Sequence, residues 1–507
     1  MTTNRWVWPL AGLVAGLAGL ATSYFVATLL AVRDSPVVAV AELVIQVSPG
    51  ALVEWAIQRL GQYDKPALVG GILVLLALAF TGIGALAARR GWLASAAFAG
   101  LAAVGVLAVV LGEATSTAAY LPLAVGFVTW VGVLELLTRR MRAQRSADEM
   151  AVAASRRGFL LGTGSVVVLA LGLTGLGRLV GRSRRAIEDE RALLRLPGVS
   201  EPRVPASARI GLRGVSSWQT SEEDFYVIHT ALALPTIAPE DWRLRIHGMV
   251  DQELVLSFAD LVGRRLTESW LTLNCVSNPV GGDLIGNAWW SGVRLADLLA
   301  EAGVQPEADA VLQTSEDGWT CGTPLSALTD DRDAMLAIAM NGRPLPVEHG
   351  FPVRTIVPGL YGFVSATKWV IDLDVTRFDR FEAYWTGKGW AEQGPVRLAS
   401  RIDVPRGGDG VLAGEVRMGG VAWAQHVGIR AVEVSADGGA WQQVEIASPP
   451  TDDTWVQWAG TVALAPGDHT LRVRATSASG EVQTGAERGV VPDGATGWHA
   501  VEVTAEE

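Results

Sequence analysis

The stretch Leu271-Thr272-Leu273-Asn274-Cys275-Val276-Ser277-Asn278-Pro279 begins as a strand and ends on a cysteine followed by turn formers. A strand that delivers a thiol to a loop can present it to a soft metal, because the thiolate is the ligand form and sulfur suits such metals. Residue type alone favours a blander reading, a buried cysteine behaving as a small hydrophobe. Cys275 is one of only two cysteines in 507 residues, the other being Cys321, which reads as a buried thiol. A disulfide between the two would suit an oxidising compartment and would remove the thiolate from any metal.

Working outward from Cys275, a set of spaced motifs follows. Trp290-Ser291-Gly292-Val293-Arg294-Leu295 comes first, then Met340-Asn341-Gly342-Arg343-Pro344-Leu345-Pro346. His349-Gly350-Phe351-Pro352-Val353-Arg354, Val357-Pro358-Gly359 and Lys368-Trp369 complete the set. In this order they resemble the sulfite oxidase family of molybdopterin-dependent oxidoreductases, in a membrane-anchored bacterial form. The likeness covers residues 210 to 500 and starts from the Cys-x-x-Asn element Cys275–Asn278.

The resemblance implies an α+β domain over residues 216–380 and a molybdenum–molybdopterin cofactor. It assigns Cys275 as the catalytic metal thiolate. Asn278 falls in the same cofactor-binding loop. His349, Arg354 and Lys368 fall on basic positions that hold the pterin and its phosphate, where arginine donates in pairs and lysine adds a point charge. His229, in Phe225-Tyr226-Val227-Ile228-His229, falls on an arm that approaches the pterin. The departures bear on substrate. Ile228 stands where arginine is expected, Asn278-Pro279-Val280-Gly281-Gly282 stands where an arginine pair is typical, and Leu336-Ala337-Ile338-Ala339 brings no tyrosine. A less cationic pocket points to a small substrate other than sulfite. Asp317, Trp319 and Cys321 fall near the pocket by positional analogy only.

The first 181 residues read as a membrane helical bundle of about five spans. Residues 6–32, 66–88, 92–112 and 114–134 carry no charge, and each is long enough to cross a hydrocarbon core of about 30 Å. Residues 36–60, interrupted by Glu42, Pro49, Gly50 and Glu54, read as an amphipathic or re-entrant segment. The fifth span, 158–177, opens Ser155-Arg156-Arg157-Gly158-Phe159-Leu160, which resembles a twin-arginine export signal retained as an anchor. Arg5, Arg89, Arg90, Arg139, Arg140, Arg142, Arg145, Arg156 and Arg157 fall on one side if the N-terminus is cytoplasmic. The catalytic domain is then extracytoplasmic.

The six histidines all lie beyond residue 228, so these helices hold no bis-histidine haem, and no Cys-x-x-Cys-His site exists for a c-type haem. A net charge of −11 argues against nucleic acid as a partner.

Residues 182–215, with Pro197, Pro202 and Pro205 among charges, read as an exposed tether with little core. Trp242–Gly248 has the alternation of a half-buried strand, Ser257–Leu261 reads as a capped helix start, and Leu295–Ala302 as a helix. After a Gly- and aromatic-rich crossing at 381–397, residues 398–507 read as short strands with a hairpin turn at Asp437-Gly438-Gly439. They imply an immunoglobulin-like β-sandwich, which in relatives often makes dimers, so a homodimer is among the expected assemblies.

The chain therefore reads as a membrane-anchored oxidoreductase acting on a small molecule. Its expected partners are the lipid bilayer and an external electron carrier, a cytochrome or a quinone-linked protein. Two rival classes stand beside this. One is a non-catalytic binding or scaffold protein on a degenerate cofactor domain. The other is a transporter with an appended sensor, which the charge-free spans support poorly.

Overall fold

The computed structural model describes residues 6–30, 36–60, 63–111, 117–143, 164, 166, 168, 170–172 and 184–507. The chain forms two compact units, one holding the N-terminal helices and the other nearly everything from Ile187 onward.

The first unit contains α1 (Val7–Leu29), α2 (Pro36–Val47), α3 (Gly50–Leu60), α4 (Asp64–Ala87), α5 (Gly91–Leu111) and α6 (Tyr120–Ala143). Four stretches, Val7–Leu29, Lys65–Ala87, Gly91–Leu111 and Tyr120–Arg139, are long and apolar enough to cross a membrane. Glycines let α1 approach its neighbours: a Cβ on Gly12 would run into the backbone of Phe80 and Gly84, and one on Gly84 into the Trp8 carbonyl. Gly16 and Gly19 likewise make room for the rings of Phe80 and Trp130. The Trp130 Nε1–H donates to the Gly16 carbonyl at 2.9 Å. Phe98 stacks on Trp130 with ring centroids 5.4 Å apart. Such close packing is what holds helices together where lipid removes the hydrophobic drive.

Of the membrane expectations, one is refined, one shifts and one lies outside the described residues. Residues 36–60 form two short helices, broken at Ser48-Pro49, because proline lacks the N–H that would continue the ladder. The fourth span starts at Tyr120 and runs on through Arg139, in place of 114–134. The fifth, 158–177, lies outside the described residues except at 164, 166, 168 and 170–172, and the Ser155–Leu160 motif lies wholly outside them.

In the second unit, β1 (Arg243–Gly248), β2 (Leu254–Ser257), β5 (Ala310–Ser315), β6 (Thr320–Pro324) and β10 (Val370–Thr376) form one sheet, in the order β2-β1-β10-β5-β6. Only β1 and β10 in it run parallel. The predicted alternation of β1 is present, with Leu244 and Ile246 fully buried. Helix Phe258–Val262 opens on a capping box in which Ser257 and Asp260 satisfy each other's backbone. Helix Leu295–Ala302 ends at Gly303, whose φ of 72° is open to glycine.

A second, antiparallel sheet holds β3 (Thr267–Asn274), β4 (Ile285–Arg294), β7 (Met335–Met340) and β8 (Arg343–Pro344), with β9 (Arg354–Ile356) beside β7. Every residue of β7 is buried, as a strand covered on both faces requires.

The predicted tether is instead laid along this unit. Leu194, Leu196 and Val199 pack on its core, while Ala208 is buried. The Ser200 hydroxyl donates to Glu268 at 2.6 Å, and the Ile210 N–H to the Gln457 side chain at 2.9 Å. Burying the apolar residues between the prolines favours this path, and a strap outside a sheet loses little where proline lacks an N–H.

The C-terminal strands are β11 (Ala399–Val404), β12 (Gly410–Leu412), β13 (Gly414–Trp423), β14 (Ile429–Ala436), β15 (Gln442–Ile446), β16 (Val456–Leu464), β17 (Gly467–Ser477) and β18 (His499–Glu506). They hydrogen-bond in one continuous order, β11-β13-β16-β15-β14-β17-β18-β12. The sheet curls because β15 changes partner midway. Gln442–Val444 pair with β14, and Glu445–Ile446 pair with β16. One apolar core, including Met418, Val434, Trp458, Val473 and Val503, fills the curl. The predicted turn is present, with Asp437 and Gly438 at φ 52° and 70°, as a tight hairpin needs.

Candidate active site

Cys275 is the first residue after β3 and opens a loop that closes on itself. Its N–H donates to the Leu284 carbonyl at 2.9 Å, and its carbonyl accepts from Asn278 N–H at 3.1 Å. The Asn278 side-chain oxygen accepts from Leu284 N–H at 3.0 Å, so this buried carboxamide holds the loop shut. From outside, the Arg401 guanidinium donates to the Gly282 carbonyl at 2.7 Å, and the His499 ring lies on Gly281. The loop is fixed at both ends, and the Cys275 thiol is left partly exposed.

The two cysteines form no disulfide. Cys321, on β6, is fully buried with its sulfur 3.2 Å from the Thr367 hydroxyl. Burial pushes its thiol up to about 12, so it stays protonated and inert. The anticipated positions Asp317 and Trp319 lie in the turn between β5 and β6, where Glu316 N–H donates to the Trp369 carbonyl at 2.9 Å.

Arg354, His349 and Lys368 are gathered by one local device. Arg354 and Lys368 face each other across an isolated antiparallel bridge. Gly350, at φ 107°, lies against both, since a Cβ there would stand 3.1 Å from the Arg354 Cβ and from the Lys368 Cα. Arg354 is buried, donates to the carbonyls of His349 (3.1 Å), Thr355 (3.4 Å) and Ala366 (3.4 Å), and lies 5.4 Å over the Trp290 ring. No carboxylate pairs with it among the described residues. The Lys368 ammonium donates to the Glu348 carbonyl at 2.7 Å.

His349 Nε2 lies 3.1 Å from the Glu222 carbonyl, which can only accept, so Nε2 carries the proton. Its Nδ1 is then a bare acceptor, buried and without a hydrogen-bond partner. Burial, then Lys368 and Arg354, drive the imidazole pKa down to about 3, and burial draws Arg354 down to about 10. These are marks of a cationic site built around an anion.

A pH dependence follows for the cofactor-free protein. Folded His349 stays neutral until about pH 3, whereas an unfolded histidine takes a proton near 6.5. The unfolded state therefore binds more protons in this window. Stability is full above pH 6.5 and falls as pH drops toward 3, by on the order of a few kcal/mol. Chemical denaturation across this range should show the decline in wild type and a shallower one in His349→Gln. Equal slopes would refute the assignment.

His229 meets the Trp369 ring edge-on at 6.0 Å, and the Lys368 ammonium lies 5.8 Å from the same ring centroid. This brings His229 to the Lys368 side of the site. Two tyrosines escaped the motif reading. Tyr226 stacks on Phe225 at 5.3 Å, and Phe225 meets His349 edge-on at 5.6 Å. Burial and the neighbouring Cys275 hold its phenol above the usual range, against the pull of Arg354. Tyr361 accepts the Arg397 N–H at 3.2 Å. Burial, with Cys275 and Asp493 adding and Arg397 opposing, pushes it to about 12. Both are neutral hydroxyls on the Cys275 side. Neither lies before Met340, where the resemblance leads one to expect a tyrosine: Tyr226 falls within Phe225–His229, and Tyr361 falls two residues past Val357-Pro358-Gly359.

The donor set fits a molybdopterin. A half-buried cysteine, a cation pair of buried Arg354 and half-buried Lys368 with no carboxylate on Arg354 among the described residues, and two buried acceptors without partners, His349 Nδ1 and Asn274 Oδ1, suit a soft metal, a phosphate and a pterin with N–H donors.

Comparison with known proteins agrees. Residues 231–385 match the family described as the oxidoreductase molybdopterin binding domain. An uncharacterized oxidoreductase, YuiH, of Bacillus subtilis (strain 168) is 35% identical over 176 residues, covering 35% of this chain and 85% of that protein. Human mitochondrial sulfite oxidase is 31% identical over 291 residues, covering 48% of this chain and 53% of its own. The chain thus spans about half the length of the human protein. The crystal structure of the sulfane dehydrogenase SoxCD from Paracoccus pantotrophus superposes with a TM-score of 0.50 at 25% identity, covering 62% of this chain and 89% of that one. The fold and site define a molybdopterin-binding oxidoreductase domain. The chain belongs to the sulfite oxidase family of molybdopterin-dependent oxidoreductases.

Proposed function

We propose that the chain is a membrane-anchored, extracytoplasmic molybdenum-cofactor oxidoreductase that moves an oxygen atom to or from a small substrate other than sulfite. The observation that carries the reading is the presence together of half-buried Cys275 and a cationic cluster of buried His349 and Arg354 with half-buried Lys368. When bound, the cofactor supplies two-electron redox chemistry at molybdenum. Cys275 is the metal thiolate. Arg354 and Lys368 hold the phosphate, His349 Nδ1 accepts from the pterin, and His229 closes the Trp369 side. Asn278 acts through the loop it shuts, so its part is to position Cys275. Neutral Tyr226 and Tyr361 donate hydrogen bonds to substrate oxygen beside Cys275.

The four apolar helices support a membrane anchor, and the arginine distribution supports an extracytoplasmic site. A fifth span at 158–177 with a twin-arginine signal belongs to the same reading, since a cofactor-loaded domain must be exported folded. Electrons pass to an external cytochrome or quinone-linked carrier, the residues contain no haem site, and the C-terminal domain is immunoglobulin-like and joins two copies. The domains are then 1–181, 216–380 and 398–507, with 182–215 and 381–397 between them. The test is elemental mass spectrometry of detergent-purified protein from a host that makes the cofactor. About one molybdenum per chain is expected. Folded protein without molybdenum would sink the proposal and favour a scaffold built on an enzyme fold.

A further inference from the structure

Arginines are missing beside Cys275 in the sequence, yet the crossing segment brings Arg397 and the C-terminal domain Arg488. Tyr361, one of the hydroxyls on the Cys275 side, accepts from the backbone of Arg397. Its hydroxyl also fits against Gly494, where a Cβ would stand 2.5 Å away, and Val280 of the Cys275 loop fits against Gly497, where a Cβ would stand 3.5 Å away. The segment from Arg488 to Gly497 therefore touches both Tyr361 and the Cys275 loop. In it, Asp493 takes two guanidinium groups at once. Its Oδ2 pairs with Arg397 and its Oδ1 accepts from Arg488 at 2.7 Å. All three side chains keep contact with solvent, at 37% for Arg397, 25% for Asp493 and 46% for Arg488.

We infer that Asp493 is a specificity-determining residue. By occupying both arginines, it keeps the approach to Cys275 from binding sulfite-like oxyanions and favours neutral oxygen donors or acceptors. The inference deepens the proposed reading and rests on it for the position of the reacting centre. The chemistry is elementary. A guanidinium engaged by a carboxylate has fewer N–H groups to offer an anion, and the carboxylate repels the anion directly. Removing that one negative charge leaves two arginines facing the same opening.

The experiment is equilibrium binding of sulfate, a redox-inert oxyanion, to the purified full chain at low ionic strength, followed by calorimetry. It is read as a difference from wild type, because Arg354, Lys368 and His349 are common to every variant. Asp493→Asn should raise sulfate affinity about fivefold or more, with the gain fading as salt screens these exposed groups. Asp493→Asn binding sulfate no more tightly than wild type would overturn the inference. Arg488→Gln, in the otherwise native chain, should leave sulfate affinity unchanged because its guanidinium is already taken. A fall of about fivefold would show a free arginine and overturn the inference even if the first variant did not fold. Neither reading needs turnover, so a failure of the molybdenum assignment would appear in metal content and leave these affinities standing.

Discussion

Cys275→Ser is expected to abolish turnover, by about a hundredfold or more, while the chain still folds. The argument begins with the loop. Cys275 N–H and carbonyl are both used on the loop backbone, so the main chain is held whatever the side chain is. Serine is smaller than cysteine by the difference of one atom, and a partly exposed site absorbs that change at little cost. The chemistry does not survive so easily. A thiolate is a soft, strongly donating ligand, and an alkoxide at this position would require a far less acidic group to ionise. Even changes outside the immediate ligands of a metal commonly cost 10- to 100-fold, so loss of a ligand should cost at least that. Tyr226 and Tyr361 would feel the change as well, because Cys275 contributes to the raised pKa of each. The measurements are turnover with an artificial electron acceptor, molybdenum content and the visible spectrum of the loaded protein. Molybdenum retained with an altered spectrum and lost turnover is the expected pattern, since the pterin side of the site is untouched. An unchanged spectrum would show that Cys275 is not a ligand.

The parts of this site that the sequence reveals are those held by local geometry. Cys275 sits where a strand gives way to turn formers. Arg354 and Lys368 are read from a block whose spacing is set by the tight turn at Gly350. These signals are short-range, so a linear reading finds them. The departures are long-range. Residues 182–215 read as a tether because their prolines and charges are conspicuous, whereas their sparse apolar residues gain their value only against a core built much later in the chain. Tyr361 and Asp493 are distant in sequence and meet only after the C-terminal sheet has curled. The curl turns on β15, a five-residue strand whose change of partner leaves no mark in its alternation. Asn278 shows a subtler difference. The motif marks it correctly as part of the loop, and the structure then spends its side chain on the loop's own backbone.

Arg354→Met is expected to strip the cofactor while leaving the stability of the cofactor-free chain nearly unchanged. The two halves have separate causes. Without a bound anion, Arg354 is a buried cation with no carboxylate partner among the described residues, and burial lowers its pKa to about 10. At pH 7 it is still charged, and holding that charge costs about 3 kcal/mol relative to the unfolded chain. The sign is that of a base with a lowered folded pKa, so the cost is full below pH 10 and relieved only as pH rises past it. Against it stand three donations to the carbonyls of His349, Thr355 and Ala366, each worth about 1 kcal/mol. Methionine removes the cost and the gains together, and its thioether keeps apolar contact with the Trp290 ring. The midpoint of thermal unfolding should therefore move by only a few degrees. With cofactor the balance reverses. The planar fork is what can meet phosphate in pairs, and its removal leaves Lys368 as a single point charge. Molybdenum content should fall by tenfold or more, and Arg354→Lys should restore it only in part because an ammonium has no fork. The two readouts separate a binding role from a structural one. A collapse of the cofactor-free chain would make Arg354 a structural residue, and full cofactor content in the methionine variant would remove it from the site.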